Sequence, residues 1–362
     1  MNSRNLTIIS DPLLSEFGPT RPVMLIAEEL AKNNFKVKVI STQISANIKC
    51  KLKSRNISFF SFQKAFSNAD ESLVWFKCWL NEALFSKNSK KVAGLKPFVL
   101  NFSNTIAISS TCWYGQGPPT ITLKNIRKQL TLIYKLFYGL SSRFLEFLDR
   151  RLTQKFAKMT KCVVANSYYL EGVYRLFGVE VSEVIYPPLD CEVFRPRKAK
   201  SASNYILTYF GKETKLDVIR ELTNRGIEIV VFGGKITNAP KWMLQHPNIR
   251  FLGRISNEKL VSLYSDALLT VYPFLDEPFG YIPVESMACG TPVVTFDRQG
   301  PSETVVNGVT GWLTKTDREL IDLVLEIWRR GYPSSMRKEC RKRARFFDKS
   351  KIARKWLKLL KE

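Results

Sequence analysis

Two carboxylates, Glu277 and Glu285, stand eight positions apart on either side of Pro278-Phe279-Gly280-Tyr281-Ile282-Pro283-Val284. A glycine-containing turn at the mouth of a helix gives that spacing a chemistry. The carboxylates can accept hydrogen bonds from sugar or ribose hydroxyls, and the backbone N–H groups of Phe279, Gly280 and Tyr281 can meet phosphate or hydroxyl oxygens. A plainer alternative is two solvated carboxylates favoured by the positive end of a helix dipole.

A second cluster is cationic. Gly211-Lys212-Glu213-Thr214-Lys215 follows an apolar run and opens a helical one, which sets two ammonium groups where phosphate charge could develop. Two surface lysines would be the bland reading, although cations are disfavoured at that helix end. Gly233 and Gly234 end another strand and would let backbone approach a base or ribose, or simply turn the chain. Nearer the N-terminus, Gly18-Pro19-Thr20-Arg21-Pro22 precedes a helix and suits either an acceptor phosphate or an ordinary capped loop. Trp113-Tyr114-Gly115-Gln116 combines aromatics with glycine, as a surface that stacks on a sugar would, or as a tight exposed turn would.

Absent residues narrow the chemistry. The single histidine, His246, lies in a loop-like Gln-His-Pro-Asn stretch, so a Ser-His-Asp hydrolase is excluded. No Asp-x-Asp pair, P-loop or histidine-rich cluster occurs, so no metal ligands are assigned and no metal is called for. The seven cysteines are scattered, with no Cys-x-x-Cys, which argues against a zinc site or a disulfide framework and for a reducing, cytoplasmic setting.

The run from Glu277 to Val294 closely resembles the signature of retaining family 4 glycosyltransferases of the GT-B fold. Pro247 to Arg254, Val271 to Phe274 and Glu303 to Leu313 look like further family blocks in the family's order; Val163 to Ser167 and Val184 to Asp190 match more locally. The resemblance implies that Glu277 contacts donor-sugar hydroxyls, that Glu285 contacts the ribose, and that Phe279 and Gly280 supply backbone donors. It implies that Lys212 and Lys215, after Gly211, bind the donor diphosphate, and that Arg254 stands near the base. Departures are visible: Lys212 replaces the usual arginine, its spacing to Lys215 is short, and Gly18 stands alone where two glycines are usual. The family's first-lobe histidine is missing, and Gln116 or Tyr114 is the candidate stand-in. The implied reaction moves a hexose from a nucleoside-diphosphate sugar, the only co-substrate, to a glycan or lipid-linked acceptor hydroxyl. A nucleotide-sugar epimerase of the same fold and a non-catalytic basic binding protein are the alternatives.

These residues need elements to hold them. The length, 362 residues with 45% hydrophobic content, suits two domains with ample cores. Apolar strands at 5–10, 35–41, 57–62, 98–108, 162–165 and 184–186 alternate with helical stretches at 22–31, 73–85 and 123–158. A second series pairs strands at 205–210, 227–232, 249–252, 268–272 and 292–296 with helices at 216–225, 257–264 and 282–288. Such alternation predicts an α/β protein of two Rossmann-like lobes facing a central cleft. The boundaries read as an acceptor-binding lobe over 1–190 and a donor-binding lobe over 191–348, with the helix at 349–362 returning to the first lobe. The polar run 195–204 reads as the linker between them.

The formal net charge of +24 points to polyanionic partners. Two segments, 123–161 and 337–361, mix cations with apolar residues at helical spacing and predict a peripheral association with an anionic membrane surface. Nucleic acid ranks behind, because no reading motif for it is present.

Overall fold

The computed structural model describes residues 4–15, 18–64, 70–92, 94, 98–127, 132–197 and 204–361. The chain divides into two compact units, Met1–Pro188 with Lys349–Glu362, and Leu189–Asp348. The switch falls ahead of the polar run at 195–204 that composition suggested as the linker; residues 198–203 of that run lie outside the described residues.

The first unit runs β1 (Arg4–Ser10), α1 (Arg21–Lys32), β2 (Phe35–Ser41), α2 (Ala46–Ser54), β3 (Ser58–Ser61), α3 (Glu71–Phe85), β4 (Phe98–Phe102), β5 (Ser110–Gly115), α4 (Pro119–Ile126), α5 (Leu132–Lys158), β6 (Thr160–Ala165), α6 (Tyr168–Leu176) and β7 (Glu183–Val184). Among the described residues, seven parallel strands order as β3-β2-β1-β4-β5-β6-β7. The strand expected over 98–108 stops at Phe102, and β5 follows only from Ser110. Asp11, buried beyond the end of β1, breaks the run by accepting from Ser103 Oγ (2.7 Å), Asn104 N (2.9 Å), Thr105 N (3.0 Å) and Thr105 Oγ1 (2.8 Å). Burial pushes the Asp11 carboxyl up, and these donors, with Trp75 Nε1 at 2.8 Å, hold it against that cost.

The helix expected over 123–158 corresponds to α4 and α5, and α4 begins earlier than expected, at Pro119. Pro119 sits at the first helical turn of α4, and the cap comes from α5: buried Asp149 accepts from Thr120 N at 2.9 Å and Thr120 Oγ1 at 2.5 Å. Burial raises the Asp149 carboxyl to about 6.

The second unit runs β8 (Ile206–Phe210), α7 (Leu216–Asn224), β9 (Ile229–Gly233), α8 (Lys241–Gln245), β10 (Ile249–Gly253), α9 (Asn257–Asp266), β11 (Leu269–Tyr272), α10 (Tyr281–Ala288), β12 (Val293–Phe296), α11 (Gln299–Thr304), β13 (Gly311–Thr314), α12 (Asp317–Arg330) and α13 (Ser335–Ala344). Its described strands are all parallel and order as β10-β9-β8-β11-β12-β13. The chain winds outward from β8 in one direction, returns, and winds outward in the other. The gap between the loops after β8 and β11 is therefore a topological switch point, where open α/β sheets bind ligands beyond the carboxyl ends of their strands.

The last helix, α14 (Lys349–Leu359), belongs to the first unit. Its Ile352, Ala353 and Trp356 join the core formed by α1, β1 and β2, and Trp356 meets the rings of Phe102 at 5.1 Å and Tyr114 at 5.4 Å.

Candidate functional site

The loops at the carboxyl edge of the second sheet are tied to one another by backbone. Lys215 N donates to Pro273 O at 2.7 Å and Leu275 N to Glu213 O at 2.6 Å, so the β8–α7 and β11–α10 loops form a short antiparallel pair. Gly234 N donates to Phe210 O at 2.8 Å, binding the end of β9 to the end of β8. Glu277 N donates to Gln299 Oε1 at 2.6 Å and Gly300 N to Glu277 O at 3.1 Å, which adds the loop after β12. Four strand ends thus present one continuous rim.

Glycines make the rim compact. Gly280 caps α10 at φ +100° with no side-chain cap, a conformation that strongly favours glycine. A β-carbon on Gly300 would collide with the backbone of Phe279. One on Gly211 would meet the Tyr209 ring and come within 2.7 Å of both Glu213 carboxylate oxygens.

Glu277 sits in this rim as an internal staple. Its Oε1 accepts from Gly280 N at 3.0 Å and Phe279 N at 3.3 Å, and its Oε2 from Tyr272 OH at 2.6 Å. The N–H groups of Phe279 and Gly280, expected to be open to a ligand, are therefore engaged by Glu277, because the αL turn at Gly280 folds the amides back onto the side chain. Burial raises the Glu277 carboxyl, against the hydrogen bonds that lower it. The Phe279 ring is buried, packed on Tyr281 at 5.2 Å and Phe347 at 5.5 Å.

Glu285, only 2% exposed, points from α10 into the unit and accepts from Tyr264 OH at 3.0 Å. Lys215 Nζ lies 2.5 Å and 2.6 Å from the two Asp317 carboxylate oxygens and 5.2 Å from the Phe296 ring centre. Lys212 is exposed on the same loop. Gly233, at φ +116°, and exposed Arg254, beyond β10, stand on the β9 and β10 side of the rim. The charge of Arg254 reaches Tyr209, at the end of β8. Lys212, Lys215, Glu277, Gly211, Gly233, Phe279, Gly280, Tyr281, Glu285 and Arg254 thus all belong to the carboxyl half of one sheet.

Sequence reading missed Glu213. It lies between the two lysines, in a stretch read only for its cations, and nothing in the spacing flags its carboxylate. Burial, with the charges of Glu277 and Asp276 beside it, pushes that carboxyl to about 7, despite the opposing pull of Lys212. Asp317 and Gln299 were also missed; both depend on contacts between distant segments.

In the first unit the outcome differs. Trp113 and Tyr114, each 1% exposed, occupy the middle of β5 and point to opposite faces of the sheet. Trp113 stacks on Phe156 at 4.8 Å and donates to Ser103 O at 3.0 Å; Tyr114 packs on Trp356 and donates to Ile185 O at 3.0 Å. Neither offers a face to a sugar, and this is no exposed turn. The period-two alternation of a strand buried on both faces explains the aromatics. Gln116 Nε2 donates to Phe102 O at 3.0 Å. Gly18, at φ +58°, opens a single 3-10 turn, and Arg21 begins α1. His246 ends α8 and pairs locally with Asn224 and Asn248.

The tail is likewise mostly structural. Arg341 donates to Phe194 O (2.7 Å), Cys191 O (2.8 Å) and Ala288 O (3.0 Å), and Arg337 Nη2 to Ser265 O (2.6 Å). Of these carbonyls, Ser265 O and Ala288 O lie at the ends of α9 and α10 and the other two in the turn at 191–194, and the apolar stripe of α14 is in the core. The apolar stripe of α14 is thus withdrawn from any surface partner.

Comparison with known proteins agrees with this architecture. Residues 203–346 match the family model described as glycosyl transferases group 1. The O-antigen chain mannosyltransferase RfbU of Salmonella typhimurium is 25% identical over 242 residues, covering 61% of this chain and 68% of that protein. A D-inositol 3-phosphate glycosyltransferase of Mycobacterium bovis is 29% identical over 154 residues, 36% of this chain and 32% of the relative; the match thus spans about a third of that protein. Among solved structures, sucrose-phosphate synthase from Thermosynechococcus elongatus superposes with a TM-score of 0.77 at 16% identity, covering 99% of this chain and 98% of that one. Anabaena HepE in complex with UDP and glucose gives 0.69 at 14% identity, covering 98% and 99%. At such identities the structural likeness speaks for the fold alone, two Rossmann-like parallel-sheet lobes. Together they give the chain the GT-B fold, with residues 203–346 of its second unit matching the group 1 glycosyl transferases.

Proposed function

We propose that the protein transfers a hexose, with retention of configuration, from a nucleoside-diphosphate sugar to a hydroxyl on a glycan or lipid-linked acceptor. The observation that carries this reading is the convergence of Lys212, Lys215, Glu277 and the tight turns at Gly211 and Gly280 on one switch point. The two ammonium groups would meet the diphosphate at the start of α7, and Glu277 would turn a carboxylate edge toward sugar hydroxyls. Glu285 would serve the ribose, and Gly233 and Arg254 the base. RfbU is named a mannosyltransferase and HepE was solved with UDP and glucose, which supports a hexose and a nucleotide donor for this chain as well.

In the reaction, the bond from sugar C1 to the diphosphate oxygen breaks and its electron pair leaves with the phosphate. The acceptor oxygen bonds to C1 from the same face, and its proton passes to the departing phosphate oxygen. Preorganised cations at a helix start, present before charge develops, supply most of the acceleration. No enzyme nucleophile is needed.

The test is a panel of UDP-, GDP- and ADP-sugars scored first by the melting temperature of the protein and then by product analysis with and without acceptor. A single stabilising donor and a product with the donor's anomeric configuration are expected. An isomerised donor in the absence of acceptor would show an epimerase instead.

A further inference from the structure

We propose that the outward face of α5 docks the protein on an anionic lipid bilayer. The inward face of this helix is used: Tyr138, Leu145, Leu148, Leu152 and Phe156 are buried in the core with Trp79, Trp113 and Tyr174. On the adjoining, outward-facing arc Leu136, Leu140, Phe144 and Phe147 succeed one another at helical spacing, with Phe137 beside them, and they are 61%, 92%, 55%, 58% and 57% exposed. At roughly 100° per residue the five side chains occupy an arc of about 100°. Five apolar side chains on one arc are a surface rather than scatter.

Charge identifies the occupant. Exposed Lys135, Arg143, Arg150, Arg151 and Lys158 share the helix surface with the stripe, against one exposed acid, Glu146. Arg143 and Arg150 lie along one flank, and Arg150 is held at the rim by stacking on Phe177 at 5.4 Å. An apolar stripe rimmed by cations fits an anionic headgroup layer with acyl chains beneath it, and a second copy of a +24 chain would be repelled. Among the described residues no helix is long and apolar enough to cross a membrane, so the contact is made in the interface plane. Of the two basic segments seen in the sequence, α5 is the one whose apolar side chains are outside, since Ile352, Trp356 and Leu360 are in a core. The inference sharpens the lipid-linked acceptor reading but stands apart from the donor assignment.

Sedimentation with vesicles of phosphatidylcholine, with and without phosphatidylglycerol, tests it on the whole chain. Binding at least about tenfold tighter to the anionic vesicles is expected, with a steep fall in high salt. The double variant L140Q/F144Q should lose binding about tenfold or more with little change in melting temperature, since Leu140 is almost wholly exposed and Phe144 more than half. Equal vesicle binding by wild type and variant, or no binding by wild type, overturns the proposal. So does a dimer that the double variant dissociates while vesicles are ignored. If vesicles bind as expected and no donor does, docking stands and the transferase reading falls.

Discussion

Lys215 and Asp317 face each other across the start of α7 and the start of α12, with the ammonium 2.5 Å and 2.6 Å from the two carboxylate oxygens. The lysine proposed to meet a diphosphate already has an anion beside it. A ligand phosphate must compete with that carboxylate. The Asp317→Asn variant removes the competing charge, and because Asp317 is partly exposed the gain is modest, about 1 kcal/mol. Titration calorimetry should show the nucleoside diphosphate bound some threefold to tenfold more tightly, while Lys215→Ala weakens it. Unchanged affinity in both would remove Lys215 from the phosphate site.

Glu277→Gln separates charge from architecture. A glutamine keeps one oxygen for the Phe279 and Gly280 amides, and the Tyr272 hydroxyl can reverse to accept from the new amide. Folding should therefore survive with a melting temperature close to wild type. Transfer should fall by about a hundredfold or more, as for other preorganised polar contacts to a reacting sugar. Wild-type turnover in this variant would end the role assigned to Glu277.

Glu213 gives a pH signature. Its carboxyl titrates near 7 when folded against an ordinary 4.5, so between those values the folded chain holds a proton that the unfolded chain has released. Stability therefore falls as pH rises from about 4.5 to about 7 and levels off above, by at most about 3 kcal/mol from this group. Urea melts at pH 5 and pH 8 should show that fall in the wild type and a smaller one in Glu213→Gln. Equal slopes in the two proteins would place Glu213 in water.

Gly300→Ala tests the rim. The new methyl would enter the backbone of Phe279, which is flexible in neither direction, and the cost should be about 2 kcal/mol or more. Both the urea midpoint and donor binding are expected to drop. A neutral substitution would mean that the loops after β11 and β12 are not locked together.

Much of the fold was legible because its signals are local. Short apolar runs alternating with amphipathic stretches yield parallel strands and helices, and β8, β9, β11 and β12 lie within a few residues of where the pattern puts them. The errors share a cause. The strand expected over 98–108 was cut by Asp11, some ninety positions away, and the helix expected from 123 begins earlier, at Pro119, under a cap from Asp149. β13 and α11 were passed over, since Glu303 to Leu313 was read as motif rather than as periodicity, and α12 lay outside every stretch that was read. Trp113 and Tyr114 resembled a sugar platform only because one dimension cannot tell a doubly buried strand from an exposed turn.

The sequence alone determined the elements and the types of group available: two carboxylates about a glycine turn, two lysines at a helix start, one uninvolved histidine. Tertiary structure decided which of them face one another. It gave Lys215 an acidic partner 102 positions away, turned Glu277 onto its own helix amides, set Glu213 beside it, and sent the tail's apolar stripe inward while leaving that of α5 outside. The physical reason is that propensity and periodicity act over a turn or two of chain, whereas burial, charge pairing and carbonyl capping depend on distance in space.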